Sequence, residues 1–170
     1  IGPTKSHTTL RVHELSFRAV TALFGHAGLE WDITTCSDQE LEHLKNWGNY
    51  YKENRNLLHS GDMIRVDRAD ESSFVHGVVS KDKSRAIFAY AALGTQGASR
   101  PNSIHFAGLD PNRIYLAKAV FPAGEPRFLQ RAQVGWLEGV TLSGEALCSM
   151  GLRAPILFPD NAFLIEIEAI

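Results

Sequence analysis

The sequence changes its periodicity close to residue 61, and this change limits the possible folds more than any other feature. Before it, apolar residues recur at helical spacing; after it, short β-branched and aromatic runs alternate with turn residues. Ser37-Asp38-Gln39-Glu40 has the form of a capping box, and an apolar stripe continues from there to Ser60-Gly61. We therefore predict a helical region over residues 1–61 and a separate β-rich domain over residues 62–170.

The first region is predicted to contain two helices with one strand between them. Amphipathic spacing indicates a helix from Leu10 to Phe24, and alternation over Leu29–Ile33 indicates a short strand. A helix, a strand and a helix are part of the alternating order that belongs to a parallel sheet. Because one strand cannot make a sheet, we expect the end of a larger (β/α)8 barrel, a fold whose sites lie at the C-terminal ends of its strands.

The second region has the spacing of an antiparallel β-sandwich, so the fold class expected for the chain is α+β. A polar hairpin loop is predicted at Ser80–Ser84, a tight turn at Gly108–Asn112, and one or two helical turns over Ser143–Met150 with Ser143 as the cap. The predicted strands are Met63–Val66, Phe74–Val79, Ala86–Leu93, Ser103–Ala107, Ile114–Phe121 and Phe163–Ala169.

Charge and composition argue against several classes of function. Seventeen basic and nineteen acidic residues give a formal net charge of -2 without a long run of either sign, so we expect no nucleic-acid partner. No apolar stretch has the roughly 20 residues of a membrane helix, and no basic segment precedes an apolar one. We therefore expect a cytoplasmic protein that does not associate with a membrane. Cys36 and Cys148 are far apart and suggest idle thiols, and no metal or cofactor site is predicted.

Several strings along the chain resemble the family 36 glycoside hydrolases of the α-galactosidase type. In the first region these are Ile1 to Arg11, Phe17 to Gly25, Gly28 to Asp32 and Tyr51 to Asp62, which are similar to the last loops, strand and helix of that family's barrel. In the second region they are Val78 to Ser84, Gly108 to Pro111 and Ser143 to Leu152, which are similar to turns of the family's C-terminal sandwich.

The resemblance implies a retaining glycosidase that hydrolyses terminal α-galactosides with two aspartates, a nucleophile and an acid. In the family these aspartates lie on earlier barrel strands, in Lys-Trp-Asp and Ser-Asp-Asn-Thr-Asp strings, and neither string occurs in this sequence. We therefore assign no catalytic residue to this chain and expect it to be inactive alone. The implied partners are galactosides and the rest of the barrel, and a homo-oligomer is possible.

Three residues are candidates for the rim of the substrate pocket: His7, Trp31 and Asp32. His7 lies in the loop that the resemblance puts above one barrel strand, and Trp31 and Asp32 lie at the end of the predicted strand. Glu30 and Asp32 form the nearest approach to a carboxylate pair, but adjacent positions of one strand face a sugar from the same side. His7 and His13 do not have the spacing of metal ligands.

The aromatic residues allow one alternative function. Trp47, Tyr50 and Tyr51 are predicted to pack the second helix, and Trp136 is the one aromatic residue considered for stacking on a sugar, although burial is favoured. A non-catalytic carbohydrate-binding sandwich should expose a planar row of aromatic rings. A sandwich that supports a barrel should bury them.

Overall fold

The chain forms an α+β structure built on an antiparallel sheet. The computed structural model describes residues 1–68, 71–97 and 101–170. The α-helices of these residues are α1 (Leu15–Ala22), α2 (Asp38–Ser60) and α3 (Gly144–Ser149), and 3-10 turns cover Ile33–Thr35 and Gly135–Glu138. The strands are β1 (Asp62–Val66), β2 (Ser73–Val79), β3 (Arg85–Ala92), β4 (Ile114–Val120), β5 (Val140–Ser143) and β6 (Asn161–Ala169).

The six strands join one sheet in the order β1-β2-β3-β6-β4-β5, with every neighbouring pair antiparallel. The C-terminal strand β6 lies between β3 and β4, where Phe88 is opposite Ile165 and Ala119 is opposite the same residue on the other side. Strand β3 is buried along almost its whole length. Its near-continuous apolar sequence is what a strand covered on both faces requires.

The two faces of the sheet carry different apolar clusters. Alternate residues of β3 point to opposite faces, so that Phe88 and Tyr90 join one cluster and Ile87 and Ala89 join the other. The first face is covered by the segments between the strands, including Phe106, Trp136 and Leu147. The second face is covered by the apolar sides of α1 and α2.

The second sheet of a sandwich does not occur among the described residues. The segments over the first face pair with one another through isolated bridges, Ile104 with Leu152 and Phe128 with Leu157. Ser103–Ala107 was predicted to be a strand, and that prediction is wrong because a single bridge at Ile104 is all the pairing this segment makes. The sequence analysis also missed β5, which is four residues long and only half-buried.

The other strands predicted within residues 62–170 are confirmed within one or two residues at their ends. Ser37 caps α2: its hydroxyl accepts from the Glu40 N–H and the Glu40 carboxylate accepts from the Ser37 N–H, so the predicted capping box is confirmed. Ser143 caps α3 by accepting from the Ala146 N–H, also as predicted. No helix in the described part of the chain has both the length and the apolar character needed to cross a membrane.

Two predictions for the first region are wrong in detail. The first helix begins at Leu15 rather than near Leu10, because Leu10 has a φ of 58° and starts the returning arm of a hairpin. Leu29–Ile33 is not a strand. Asp32 instead accepts hydrogen bonds from the Thr34 backbone and hydroxyl, and this turns the chain into the 3-10 helix at Ile33–Thr35.

Candidate functional site

Backbone hydrogen bonds join the first residue of the chain to the segment 28–30. The Ile1 nitrogen donates to the Gly28 carbonyl oxygen, and the Glu30 N–H donates to the Ile1 carbonyl oxygen over 3.0 Å. In parallel pairing, one residue donates to one residue of the neighbouring segment and accepts from the residue two positions further along that segment. The two segments therefore run in the same direction, and the residues that follow them leave the pairing at the same edge.

The residues that follow Ile1 form a hairpin, the first rim loop (residues 2–14). Lys5 and Val12 pair as an antiparallel bridge, and the His13 N–H donates to the Thr4 carbonyl oxygen over 3.0 Å. His7 lies at the exposed tip of this hairpin, where Ser6 and Leu10 close the turn. The candidate His7 is thus accessible, on a loop whose shape is set by backbone bonds.

The first rim loop is attached to the sheet domain at Asp160, in the turn before β6. One terminal nitrogen of Arg11 lies 3.0 and 2.9 Å from the two carboxylate oxygens of Asp160, and His13 Nε2 lies 3.6 Å from the same carboxylate. Asp160 has a φ of 56°, a left-handed conformation that Asp and Asn tolerate better than most residues. A turn of the sheet domain therefore holds the returning arm of the hairpin.

The residues that follow Glu30 form the second rim loop (residues 31–36). Asp32 is exposed and caps the 3-10 helix, and its pKa is lowered, first by the hydrogen bond from the Thr34 hydroxyl and then by that from the Thr34 backbone. Both bonds come from Thr34 to one oxygen, Oδ1, at 2.6 and 3.0 Å. The other oxygen, Oδ2, accepts no hydrogen bond from the described residues and is therefore open to a ligand hydroxyl.

Arg18, in α1, contacts both rim loops. Its Nε donates to the His13 carbonyl oxygen over 3.1 Å, one terminal nitrogen donates to the Gly2 carbonyl oxygen, and the other donates to Thr4 Oγ1 over 3.2 Å. The guanidinium carbon lies 4.7 Å from the centroid of the Trp31 ring. Burial lowers the pKa of Arg18, and the charge of Glu40 opposes that shift.

The structure thus brings the two candidate loops to one edge but does not bring all three candidate residues into contact. Within residues 1–68, 71–97 and 101–170, no hydrogen bond or ring contact joins His7 to Trp31 or Asp32. The same described ranges contain no group of three or more His, Cys, Asp or Glu side chains that could hold a metal ion. The sequence analysis did not single out Arg18, because it reads as one polar residue on the polar side of an amphipathic helix.

Most large aromatic residues of the sheet domain are buried, and Phe74 is the exposed exception at 37%. Trp136 is 9% exposed, and its indole N–H donates to the Arg153 carbonyl oxygen over 2.8 Å. Tyr90, Tyr115 and Phe163 are at most 1% exposed. The predicted burial of Trp136 is confirmed, and its ring does not offer a face to a sugar. Trp47 is also buried, and its indole N–H donates to the Ala19 carbonyl oxygen over 3.0 Å, which joins α2 to α1.

Family comparisons agree with this division into a loop-bearing helical part and a sheet. Residues 74–162 match the glycosyl hydrolase family 36 C-terminal domain, and residues 1–61 match the melibiase family. The chain belongs to glycosyl hydrolase family 36, as the resemblance of its strings implied.

Curated relatives that resemble this chain are α-galactosidases. The chain is 36% identical over 174 aligned residues to the α-galactosidase of Escherichia coli, with 99% of this chain and 25% of the relative covered. It is 28% identical to α-galactosidase AgaA of Geobacillus stearothermophilus, with 68% of this chain and 16% of the relative covered. The chain therefore spans a quarter or less of the length of these relatives.

Solved structures share the fold along the whole chain. The α-galactosidase of Lactobacillus brevis superposes with a TM-score of 0.81 at 24% identity, covering 100% of this chain and 22% of that one. A variant of G. stearothermophilus AgaA in complex with raffinose superposes with a TM-score of 0.80 at 22% identity, covering 100% and 21%. At these identities the likeness establishes the fold of the chain.

Proposed function

We propose that this chain acts as the C-terminal part of an α-galactosidase, a retaining glycosidase that removes terminal α-galactosyl groups from oligosaccharides. The observation that carries the proposal is the 36% identity to the E. coli α-galactosidase, which extends over 99% of the chain. Raffinose and stachyose occupy variants of a relative with the same fold, and both fit the proposed substrate class.

Residues 1–61 would supply the last elements of the catalytic barrel. The parallel pairing of Ile1 with residues 28–30 supports this, because neighbouring strands of such a barrel pair in parallel. Both rim loops leave that pairing in the direction of the strands' C-terminal ends, where barrels of this kind carry their sites. The boundary between residues 61 and 62 stays a prediction, and the sandwich predicted for residues 62–170 has one sheet among the described residues.

His7, Trp31 and Asp32 would lie at the rim of the galactoside pocket. Trp31 is half-buried and has a ring that a sugar can stack on, and Asp32 has a free carboxylate oxygen for a sugar hydroxyl. Neither aspartate string of the family's chemistry occurs in this sequence, so the chain would complete the pocket without cleaving the bond. The sheet domain would act as a support, since Tyr90, Tyr115, Trp136 and Phe163 are buried and the exposed Phe74 does not form a row of aromatic rings.

The cellular location and the assembly state belong to the same proposal. We expect the enzyme in the cytoplasm, and we expect that it can form a homo-oligomer. Leu29, in the segment that pairs with Ile1, is 48% exposed, and Ile33, in the following 3-10 helix, is 43% exposed. Those side chains would face the remaining barrel elements.

The proposal is tested by assaying p-nitrophenyl α-galactoside hydrolysis with two preparations whose intact masses are measured. One is the 170-residue chain and the other is the full-length polypeptide that carries it. We expect activity with the longer species alone, and a p-nitrophenyl β-galactoside as the control should not be cleaved. Activity of the 170-residue chain would show that catalytic residues lie within it, and inactivity of both on α-galactosides would refute the proposed function.

A further inference from the structure

We infer that Arg18 is a positioning residue that holds the two rim loops in one arrangement and thereby sets how tightly the pocket binds its galactoside. This inference rests on the proposed function, because it takes the rim loops to be part of a sugar pocket. It concerns a residue outside the two aspartate strings of the family's chemistry, neither of which occurs in this sequence.

The guanidinium of Arg18 donates hydrogen bonds to one rim loop and contacts an aromatic ring of the other. All three of its nitrogens donate to acceptors of the first rim loop, on Gly2, Thr4 and His13. Its guanidinium carbon lies over the Trp31 ring of the second rim loop, 4.7 Å from the ring centroid. Because three acceptors hold the rigid guanidinium, they also fix the position of the cation that the Trp31 ring contacts.

The acceptors of Arg18 are neutral, which makes its shape more important than its charge. No carboxylate oxygen of the described residues lies within ion-pair distance of Arg18, and the charges of Glu14 and Glu40 act on it from farther away. A lysine at this position would keep the positive charge. It would lose the fixed fork of donors and the flat surface over Trp31.

The core packing of α1 does not depend on Arg18. Leu15, Ala19, Val20 and Leu23 are at most 6% exposed and pack against the sheet and α2. The bond from Trp47 to the Ala19 carbonyl oxygen also holds the helix in place. Loss of the Arg18 side chain should therefore loosen the rim loops while the helix and the sheet keep their places.

The consequence falls on substrate binding rather than on turnover. A ring that stacks on a sugar and a loop that borders it contribute binding energy, whereas the two aspartates of the family's chemistry would lie elsewhere in the barrel. Freed from Arg18, Trp31 and the first rim loop would each sample several positions. The galactoside would then have to order them when it binds, which weakens binding.

The experiment compares Arg18→Lys with Arg85→Lys in the full-length polypeptide. Arg85 is a matched control because it also uses its fork, donating to Glu168 Oε1 over 3.1 Å and to Asn54 Oδ1 over 3.0 Å, away from the rim loops. For Arg18→Lys we expect KM for p-nitrophenyl α-galactoside to rise about 5- to 50-fold with kcat within about twofold, the size of effect that misplaced binding groups produce. Arg85→Lys should leave both constants unchanged.

A double-mutant cycle with Trp31→Phe tests the coupling directly. If Arg18 acts through Trp31, the two substitutions should raise KM by less together than the product of their separate effects. Provided that the wild-type polypeptide is active, two results overturn the inference. One is an unchanged KM in Arg18→Lys, and the other is a double variant whose rise in KM equals the product of the two single effects. A wild-type polypeptide that cleaves no α-galactoside is a failure of the proposed function instead.

Discussion

The sheet and the rim loops are held in place by different kinds of interaction. The sheet is fixed by two buried apolar clusters, one on each face, in which residues such as Phe88 and Leu164 are fully excluded from solvent. The rim loops are fixed by a few polar contacts, chiefly those of Arg18 and Asp160. Many small contacts set the fold, whereas a few directional contacts set the candidate site, so the two regions should respond differently to substitution.

The largest effect is expected in the sheet, for Phe163→Ala. Phe163 is 1% exposed and its ring lies within 5.7 to 6.2 Å of the rings of Tyr90, Phe121 and Trp136, measured between centroids. Its truncation leaves a cavity among rigid neighbours and should lower the free energy of unfolding by about 3 to 5 kcal/mol. Urea denaturation followed by circular dichroism measures the change.

Ile170→Ala is the control for that measurement, because the Ile170 side chain is 75% exposed. Its effect should be within about 0.5 kcal/mol. If Phe163→Ala cost no more than this control, the first apolar cluster would not be what stabilises the sheet, and the contrast between the two regions would lose its basis.

This contrast also explains what the sequence could predict. Strand β3 and helix α2 were predictable because burial imposes a repeating apolar pattern and because capping residues have fixed spacing. Both rules act on residues close together in the chain. The four interior strands of the sheet, β2, β3, β6 and β4, follow from the same rules within two residues at their ends.

The contacts of the rim loops follow no such rule. Arg11 and Asp160 are 149 residues apart, and two of the three acceptors of Arg18 are backbone carbonyl oxygens, which every residue possesses. The prediction of a strand at Leu29–Ile33 failed for a related reason. Its alternating pattern is typical of a strand, but in the described structure the strand-like pairing of this region extends no further than Ile1. The resemblance to a family located the loops, and three-dimensional structure was needed to find the residue that joins them.

A smaller effect is expected for Asp160→Asn, which tests the attachment of the first rim loop. Asn keeps the left-handed backbone conformation of Asp160 but removes its charge from Arg11, whose side chain is 58% exposed. The free energy of unfolding should fall by less than about 1 kcal/mol, because exposed ion pairs contribute little. Amide hydrogen exchange of residues 5–12 should nevertheless become faster, and mass spectrometry of peptic fragments measures it.

Asp67→Asn provides the comparison for that experiment, since Asp67 is 92% exposed and its ion pair with Arg65 lies far along the chain from the hairpin. This substitution should leave the exchange of residues 5–12 unchanged. Equal exchange in the wild type and Asp160→Asn would show that backbone bonds alone hold the hairpin, and the first rim loop would then be independent of the sheet domain.

The smallest effect is expected at the β2–β3 turn, a polar element inside the apolar region, and it depends on pH. Asp82 Oδ1 accepts from the Ser80 hydroxyl, the Ser84 N–H and the Ser84 hydroxyl, and these bonds lower the pKa of Asp82 from 3.8 to about 2. The folded-state pKa is below the unfolded one, so the ionised carboxylate stabilises the fold above about pH 4, and this contribution is lost as the pH falls towards about 2. Asp82→Asn should thus be less stable than the wild type at pH 5, with the difference shrinking between pH 4 and pH 2.

Ser84→Ala, which removes one donor, should give a smaller difference over the same range. If the difference in free energy of unfolding between the wild type and Asp82→Asn did not depend on pH, the turn would be held by its backbone and not by the Asp82 charge. The stability of the sheet would then depend on its buried apolar clusters alone.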